Sequence, residues 1–168
     1  MPNSAASSDT AVNGLRVGQG FDIHRFADDD RPLVLAGVRF AGERGLLGHS
    51  DADAVAHAVS DALLGAAALG DIGEHFPDTD PQWQGADSMA ILRAVVAMVK
   101  ARGWNVVNVD VNVICERPRI APLRAEMQAN LSEAVGAPAS VKGRRAEGLG
   151  AIGRVEGLAC IAVALLTA

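Results

Sequence analysis

The sequence predicts a two-layer α+β sandwich, a mixed β-sheet with helices on one face, and three observations carry that expectation. Segments of period two and of period 3.6 follow in the order strands, helix, helix, strand, helix, strand, strand, which does not fit regular βαβ winding. The 168 residues suffice for one domain with a substantial core and not comfortably for two. No internal repeat or low-complexity tract breaks that order.

The opening MPNSAASSDTAVNG has no periodicity and lacks the basic start and apolar middle of a secretory signal, so residues 1–13 are expected to form a disordered leader and 14–168 the domain. LRVGQGFDIHRF alternates as a strand, and PLVLAGVRF after the turn-like DDDRP suggests a second strand or hairpin. From Asp53 to about Leu69 apolar residues recur at helical spacing, with Gly70 as the stop. DIGEHFPDTDPQWQG, rich in Asp, Gly and Pro, reads as a long loop, and loops of that length in compact domains tend to be functional or disordered. A second helix runs from Ala86 to Arg102, opened by the polar pair Asp87/Ser88 and closed by Gly103. WNVVNVDVNVIC alternates Val with Asn and Asp, a strand with one dry and one polar face. A third helix, about Ala121 to Val135, precedes the short strand ASVKG, the basic, glycine-rich connection RRAEGLGAIGR and the apolar last strand in VEGLACIAVALL.

The net charge of −5 is unevenly spread. Residues 1–80 carry 13 acidic and 5 basic side chains, a net of −8, while residues 81–168 carry 7 and 10, a net of +3, so folding can bring a cation-attracting half against an anion-attracting one. An acidic chain with no tyrosine and few other aromatics offers neither a basic face nor stacking platforms for nucleic acid. No apolar run approaches the roughly 20 residues of a membrane span, and the expected compartment is the cytoplasm. Cys115 and Cys160, far apart in apolar surroundings, read as reduced core residues.

Asp22 and His24, two apart on a strand, project to the same face. Asp53, His57 and Asp61 stand at i, i+4 and i+8 on the following helix and make one polar stripe among alanines and valines. Such a stripe is ordinarily a solvated face. Facing the strand pair, it would let His57 complete a set of two imidazoles and one carboxylate, typical of catalytic zinc with an open fourth position. Asp53 or Asp61 would then orient His57, and Asp51 would cap the helix. Gly18-Gln19-Gly20 has no third glycine at dinucleotide-binding spacing and continues a strand. Arg117, Arg119, Lys142, Arg144, Arg145 and Arg154 gather at strand ends and in a glycine-rich loop, a pattern suited to phosphate oxygens or simply to a soluble basic surface. In DIGEHFPDTD, Asp71 and Asp78 are the better candidates for holding a polyol or ribose, while Thr79 and Asp80 before Pro81 suit turns and caps.

Taken in order from Leu15, the motifs GFDIH, HSDADAVAHAVSDALLGAAALGDIG, FPDTDP, GADS, NVDVNVI and GLGAIGRVEGLAC closely resemble the 2-C-methyl-D-erythritol 2,4-cyclodiphosphate synthase family, the cyclising enzymes of the non-mevalonate isoprenoid pathway. The resemblance implies a homotrimer with active sites at subunit interfaces, zinc together with a second divalent ion (Mg²⁺ or Mn²⁺), and a cytidine diphosphate ester of methylerythritol 2-phosphate as substrate. It implies zinc on Asp22, His24 and His57, and a second metal on Glu147. His49 and Ser50 fall on the loop that contacts the diphosphate, His49 aiding the transition state by charge and position. Asp71, Ile72 and Gly73 fall on the ribose, and Phe76, Pro77, Asp78, Thr79 and Asp80 on the methylerythritol. Cys115, Glu116, Arg117, Pro118, Arg119, Ile120 and Ala121 line the cytosine pocket, Arg119 standing where a lysine is common.

Three departures mark this chain. Arg144, Arg145 and Ala146 occupy the place of a threonine-bearing run, with Arg145 at the position of the hydroxyl that helps place the phosphates. Ala151 stands where an aromatic residue is common, and RVEG at Arg154–Gly157 replaces RGEG. In the family that last region lines an axial cavity that can hold an isoprenoid diphosphate. The metal site alone also suits a metal-dependent phosphoesterase, and the arginine replacement leaves room for a non-catalytic trimer that binds an isoprenoid diphosphate or a nucleotide.

Overall fold

The computed structural model describes residues 14–168, so the expected leader at 1–13 lies outside the described residues. Strand β1 (Leu15–Arg25) is followed by a hairpin of β2 (Leu33–Leu35) and β3 (Val38–Phe40). Then come α1 (Ala54–Ala66), the short α2 (Ile72–His75), α3 (Ser88–Ala101), β4 (Asn105–Ile114), α4 (Arg124–Val135), β5 (Ala139–Arg144), the short α5 (Gly150–Gly153) and β6 (Gly157–Thr167). The main sheet has the order β1-β6-β4-β5, antiparallel except for the parallel β4–β5 pair. It is therefore mixed, and the α+β expectation holds.

Three boundaries differ from the periodicity. Helix α1 ends at Ala66, before Gly70, because Ala68 already adopts φ +55°. Helix α4 begins at Arg124, since residues 121–123 form a turn. The stretch read as one long loop contains α2 and a 3₁₀ turn, Pro81–Trp83, started by the side chains of Asp71 and Asp80, which accept the Glu74 and Gln82 backbone N–H. Side-chain capping can start a turn too short to show periodicity.

Helices α1 and α3 pack through Val55, Val59, Leu63, Leu92, Val95 and Val99, all buried in one core with Val109, Val111, Val113, Leu158, Ala162 and Ala164 of the sheet. The approach of α1 to β1 depends on Gly18 and Gly20. A Cβ on Gly18 would lie 1.9 Å from the Ala62 carbonyl oxygen, and one on Gly20 would lie 1.9 Å from that of Ala58. Only glycine permits this contact, and on the helix side the facing residues are alanines. Gly18, Gly20, Asp22 and His24 share one face of β1, so the contact that seats the helix also carries His57 to the strand's polar pair.

The opposite face of the sheet has no helix among the described residues. It exposes Val17, Phe21 and Ile23 of β1 beside Val163 of β6, and continues across Asp110 and Lys142, which form an ion pair.

Candidate metal centre and substrate clefts

Asp22 of β1, His24 of β1 and His57 of α1 offer donor atoms that all lie within 4.8 Å of one another. Asp22 Oδ2 is 3.0 Å from both His24 Nε2 and His57 Nδ1. His24 Nδ1 lies 2.7 Å from the Leu47 carbonyl oxygen, which can only accept, so Nδ1 carries the proton and Nε2 turns its lone pair toward Asp22. Two acceptors at that distance need a cation between them, and the donor set of two imidazoles and a carboxylate fits a divalent metal. Without metal, a proton serves: burial works against charge on His24, but the Asp22 hydrogen bond and charge outweigh it and raise its pKa above 6.5. Burial likewise pushes the Asp22 carboxyl up, yet hydrogen bonds with His24 and His57 hold it well below the usual carboxylate range.

The supporting aspartates divide differently from the helical stripe. Asp53 is fully buried and caps α1, accepting from the Val55 and Ala56 N–H and also from the Ala36 and Gly37 N–H of the β2–β3 turn. Burial pushes its carboxyl up to about 6, against those backbone donors. At the N-cap its side chain folds back on the first turn and cannot reach the His57 ring. Asp61 accepts the Ile72 N–H at 2.8 Å and steadies α2. Burial raises its pKa, with the Asp71 charge adding to the effect. Asp51, expected to cap α1, accepts instead from the Asp53 and Ser88 N–H and from the Ser88 hydroxyl. His57 Nε2 meets Ser88 Oγ at 2.9 Å and Ser50 Oγ at 3.1 Å. The sequence marks Ser88 only as part of a helix start, although two polar residues in tandem, where one cap suffices, are a signal.

Beside these three donors opens a cleft of about 440 Å³ that brings together His24, His49, Ser50, His57, Ile72, Gly73, Phe76, Pro77 and Asp78. Trp83, which no spacing or motif singles out, also lines it and meets Phe76 edge-on at 5.0 Å. His49 Nε2 lies 3.3 Å from the Asp80 carbonyl oxygen, tying the two loops together. Asp71, Thr79 and Asp80 border this cleft in sequence without lining it. Asp71 and Asp80 are occupied as caps.

A second cleft, of about 710 Å³, is lined by every residue from Cys115 to Ala121 together with Arg144 and Arg145. Arg124 and Glu43, not anticipated, lie there too. Arg145 contacts Glu116 through Nε at 2.8 Å and through Nη2 at 2.6 Å, and Glu116 also accepts the Gly148 N–H. Those partners lower the Glu116 pKa, the Gly148 N–H most of all. Burial pushes the Cys115 thiol up to about 11 and raises Cys160 as well, which leaves both as inert core thiols. The two clefts share no lining residue within one chain. Ala146, the exposed Glu147, Ala151 and Arg154 line neither, and Arg154 pairs with Glu156 at 2.6 Å.

The model of the YgbB family matches residues 15–167. The 2-C-methyl-D-erythritol 2,4-cyclodiphosphate synthase of Rubrobacter xylanophilus is 56% identical over an alignment of 160 residues that covers 92% of this chain and 96% of that protein. This chain belongs to that family. The bifunctional enzyme IspD/IspF of Anaeromyxobacter dehalogenans is 55% identical across 90% of the chain, and the chain spans only 40% of that longer protein. Among solved structures, the Plasmodium falciparum IspF CDP complex superposes with a TM-score of 0.79 at 35% identity, covering 92% of this chain and 97% of that one. The meeting of the Asp22, His24 and His57 donor atoms, each residue half-buried, distinguishes this trio from a solvated stripe and makes it a candidate metal site.

Proposed function

We propose that the chain converts 4-diphosphocytidyl-2-C-methyl-D-erythritol 2-phosphate to 2-C-methyl-D-erythritol 2,4-cyclodiphosphate and CMP, as a lyase of isoprenoid precursor synthesis. The observation that carries this reading is the convergence of Asp22, His24 and His57 on one point beside a cleft of substrate size, in a chain matching named synthases over nearly their full length. A 2-phosphate oxygen attacks the β-phosphorus, the new P–O bond closes the ring, and the bond to the bridging oxygen breaks so that CMP departs with its electron pair. Zinc on the three ligands, with Mg²⁺ or Mn²⁺ helped by Glu147, would polarise the diphosphate and offset its repulsion of the incoming phosphate. The chain's own task is placement. His49 and Ser50 flank the diphosphate as donors, and Phe76, Pro77, Asp78 and the turn to Asp80 hold the methylerythritol. Asp71, Ile72 and Gly73 meet the ribose, and the Cys115–Ala121 segment takes the base. Arg144 and Arg145 supply guanidinium donors to phosphate where a hydroxyl is usual.

The assembly proposed is a homotrimer with each site shared between neighbours. Support comes from the uncovered apolar face of β1 and β6 and from two clefts that share no residue within one chain. An isoprenoid diphosphate in the axial cavity would meet Arg154, with Ala151 altering the cavity's width. Among the described residues no helix is long and apolar enough to cross a membrane, in keeping with a cytoplasmic site of action. The test is product analysis with zinc and magnesium present: CMP and a cyclic diphosphate in equal amounts support the cyclase. A linear phosphate formed with uptake of water would replace it with a phosphoesterase.

A further inference from the structure

We propose that Ser88 and Asp51 are positioning residues that set the tautomer and the aim of the His57 ring. Ser88 is one of three fully buried polar side chains among the described residues, with Asp53 and Ser60. Asp53 is satisfied by backbone N–H groups and Ser60 by the Ala56 carbonyl. The Ser88 hydroxyl has no such local duty, because Asp87 already caps α3 by accepting the Met89 N–H. An alanine would fill nearly the same space with no polar group to desolvate, so the hydroxyl's role lies in its partners.

Those partners are Asp51 Oδ1, His57 Nε2 and Ser50 Oγ. A serine hydroxyl has one proton to give and two lone pairs. The Asp51 carboxylate can only accept, so the Ser88 proton goes to it and the Ser88 oxygen must accept from His57. With a cation at the point faced by Asp22 Oδ2 and His24 Nε2, the proton of the neutral ring therefore sits on Nε2 and Nδ1 presents its lone pair to that point; without one, Asp22 competes with Ser88 for the ring proton. Leu47 enforces the opposite tautomer on His24. Two imidazoles thus bind through different nitrogens, each selected by an acceptor behind it. Asp51 holds this arrangement from the loop before α1, gripping the first residue of α3 through both its N–H and its hydroxyl.

The inference rests on the metal reading of Asp22, His24 and His57, and two readouts keep the two apart. Zinc binding to the full chain, followed by competition with a chromophoric chelator, is expected to weaken about 10- to 100-fold in Ser88→Ala. Asp51→Ala is expected to weaken it similarly, while Asp51→Asn, which keeps an acceptor oxygen in place, recovers most of the loss. The thermal midpoint of metal-free Ser88→Ala checks that the fold is kept. In the metal-free chain at about pH 8.5, where Asp22 and Ser88 compete for the ring proton, long-range ¹⁵N–¹H NMR is expected to show both His57 tautomers in the wild type and a shift toward Nδ1–H in Ser88→Ala. A wild-type chain that binds no zinc defeats the metal reading, and the NMR result still decides the tautomer. Unchanged zinc affinity in Ser88→Ala, or a His57 tautomer indifferent to it, overturns the proposal.

Discussion

The cleft at His57 and the cleft at Arg145 are built on opposite principles. At the first, the polar atoms sit on a strand and a helix locked by a glycine–alanine contact, and each ring is braced by an acceptor behind it. At the second, guanidinium groups stand on loops and strand ends, exposed at Arg117, Arg119, Arg144 and Arg145, with Glu116 gripping one of them. A metal needs donors placed within tenths of an ångström, whereas a flexible phosphate ester needs charge within reach. The rigid half is complete in one chain, and the adaptable half faces solvent.

The largest expected effect comes from breaking the rigid half. His57→Ala is expected to lower CMP release by more than about 100-fold, beyond the loss of a mere supporting partner, and to abolish stoichiometric zinc binding. CMP release undiminished by that change would remove the metal centre from the reaction.

Mixing the two defects sharpens the contrast. If a site takes its metal half from one subunit and its arginine half from the next, inactive His57→Ala and Arg145→Glu chains refolded together in equal amounts should regain activity in about a quarter of sites. No recovery, with mixed trimers confirmed by native mass spectrometry, would place both halves of each site on one subunit.

Next come single residues at each cleft. Asp53→Ala strips the acceptor from four backbone N–H groups and is expected to cost about 3 kcal/mol in denaturant unfolding. Arg145→Thr, which restores the hydroxyl usual in the family, should leave stability nearly unchanged and shift kcat/KM by about fivefold to tenfold. A large loss of stability there would show that the Glu116 pair is structural.

The smallest effect expected is on pH dependence. In the metal-free chain the raised His24 contributes stability that is complete below its unfolded value of 6.5 and lost as pH rises through the higher folded value. The lowered Asp22 contributes above its unfolded 3.8 and loses that as pH falls through its folded value. Zinc competes with the His24 proton, so the thermal shift produced by zinc should grow between about pH 6 and about pH 8.5. A shift constant across that range would mean that His24 does not ligate the metal.

The convergence of the candidate metal trio is legible because period two and period 3.6 are geometry written directly into spacing: Asp22 with His24 on a strand face, His57 on the facing helix. The same spacing misled at Asp53, since an i, i+4 relation holds only inside a helix and Asp53 stands at its cap. Gly18 and Gly20 looked like a fragment of a nucleotide loop, and their use emerges only where α1 crosses them. The long loop hid two short turns because three or four residues carry no periodicity.

What this sequence determined by itself was the kind of layer each segment forms and the chemical type of each cluster, because local backbone preference and side-chain chemistry travel with the residue. Tertiary structure alone decided which polar groups meet. Ser88 reaches His57 across 31 positions and Arg145 reaches Glu116 across 29, and each pairing depends on how the elements pack rather than on any spacing between them. Hydrogen bonds act over about 3 Å, and only a folded chain brings such distant residues that close.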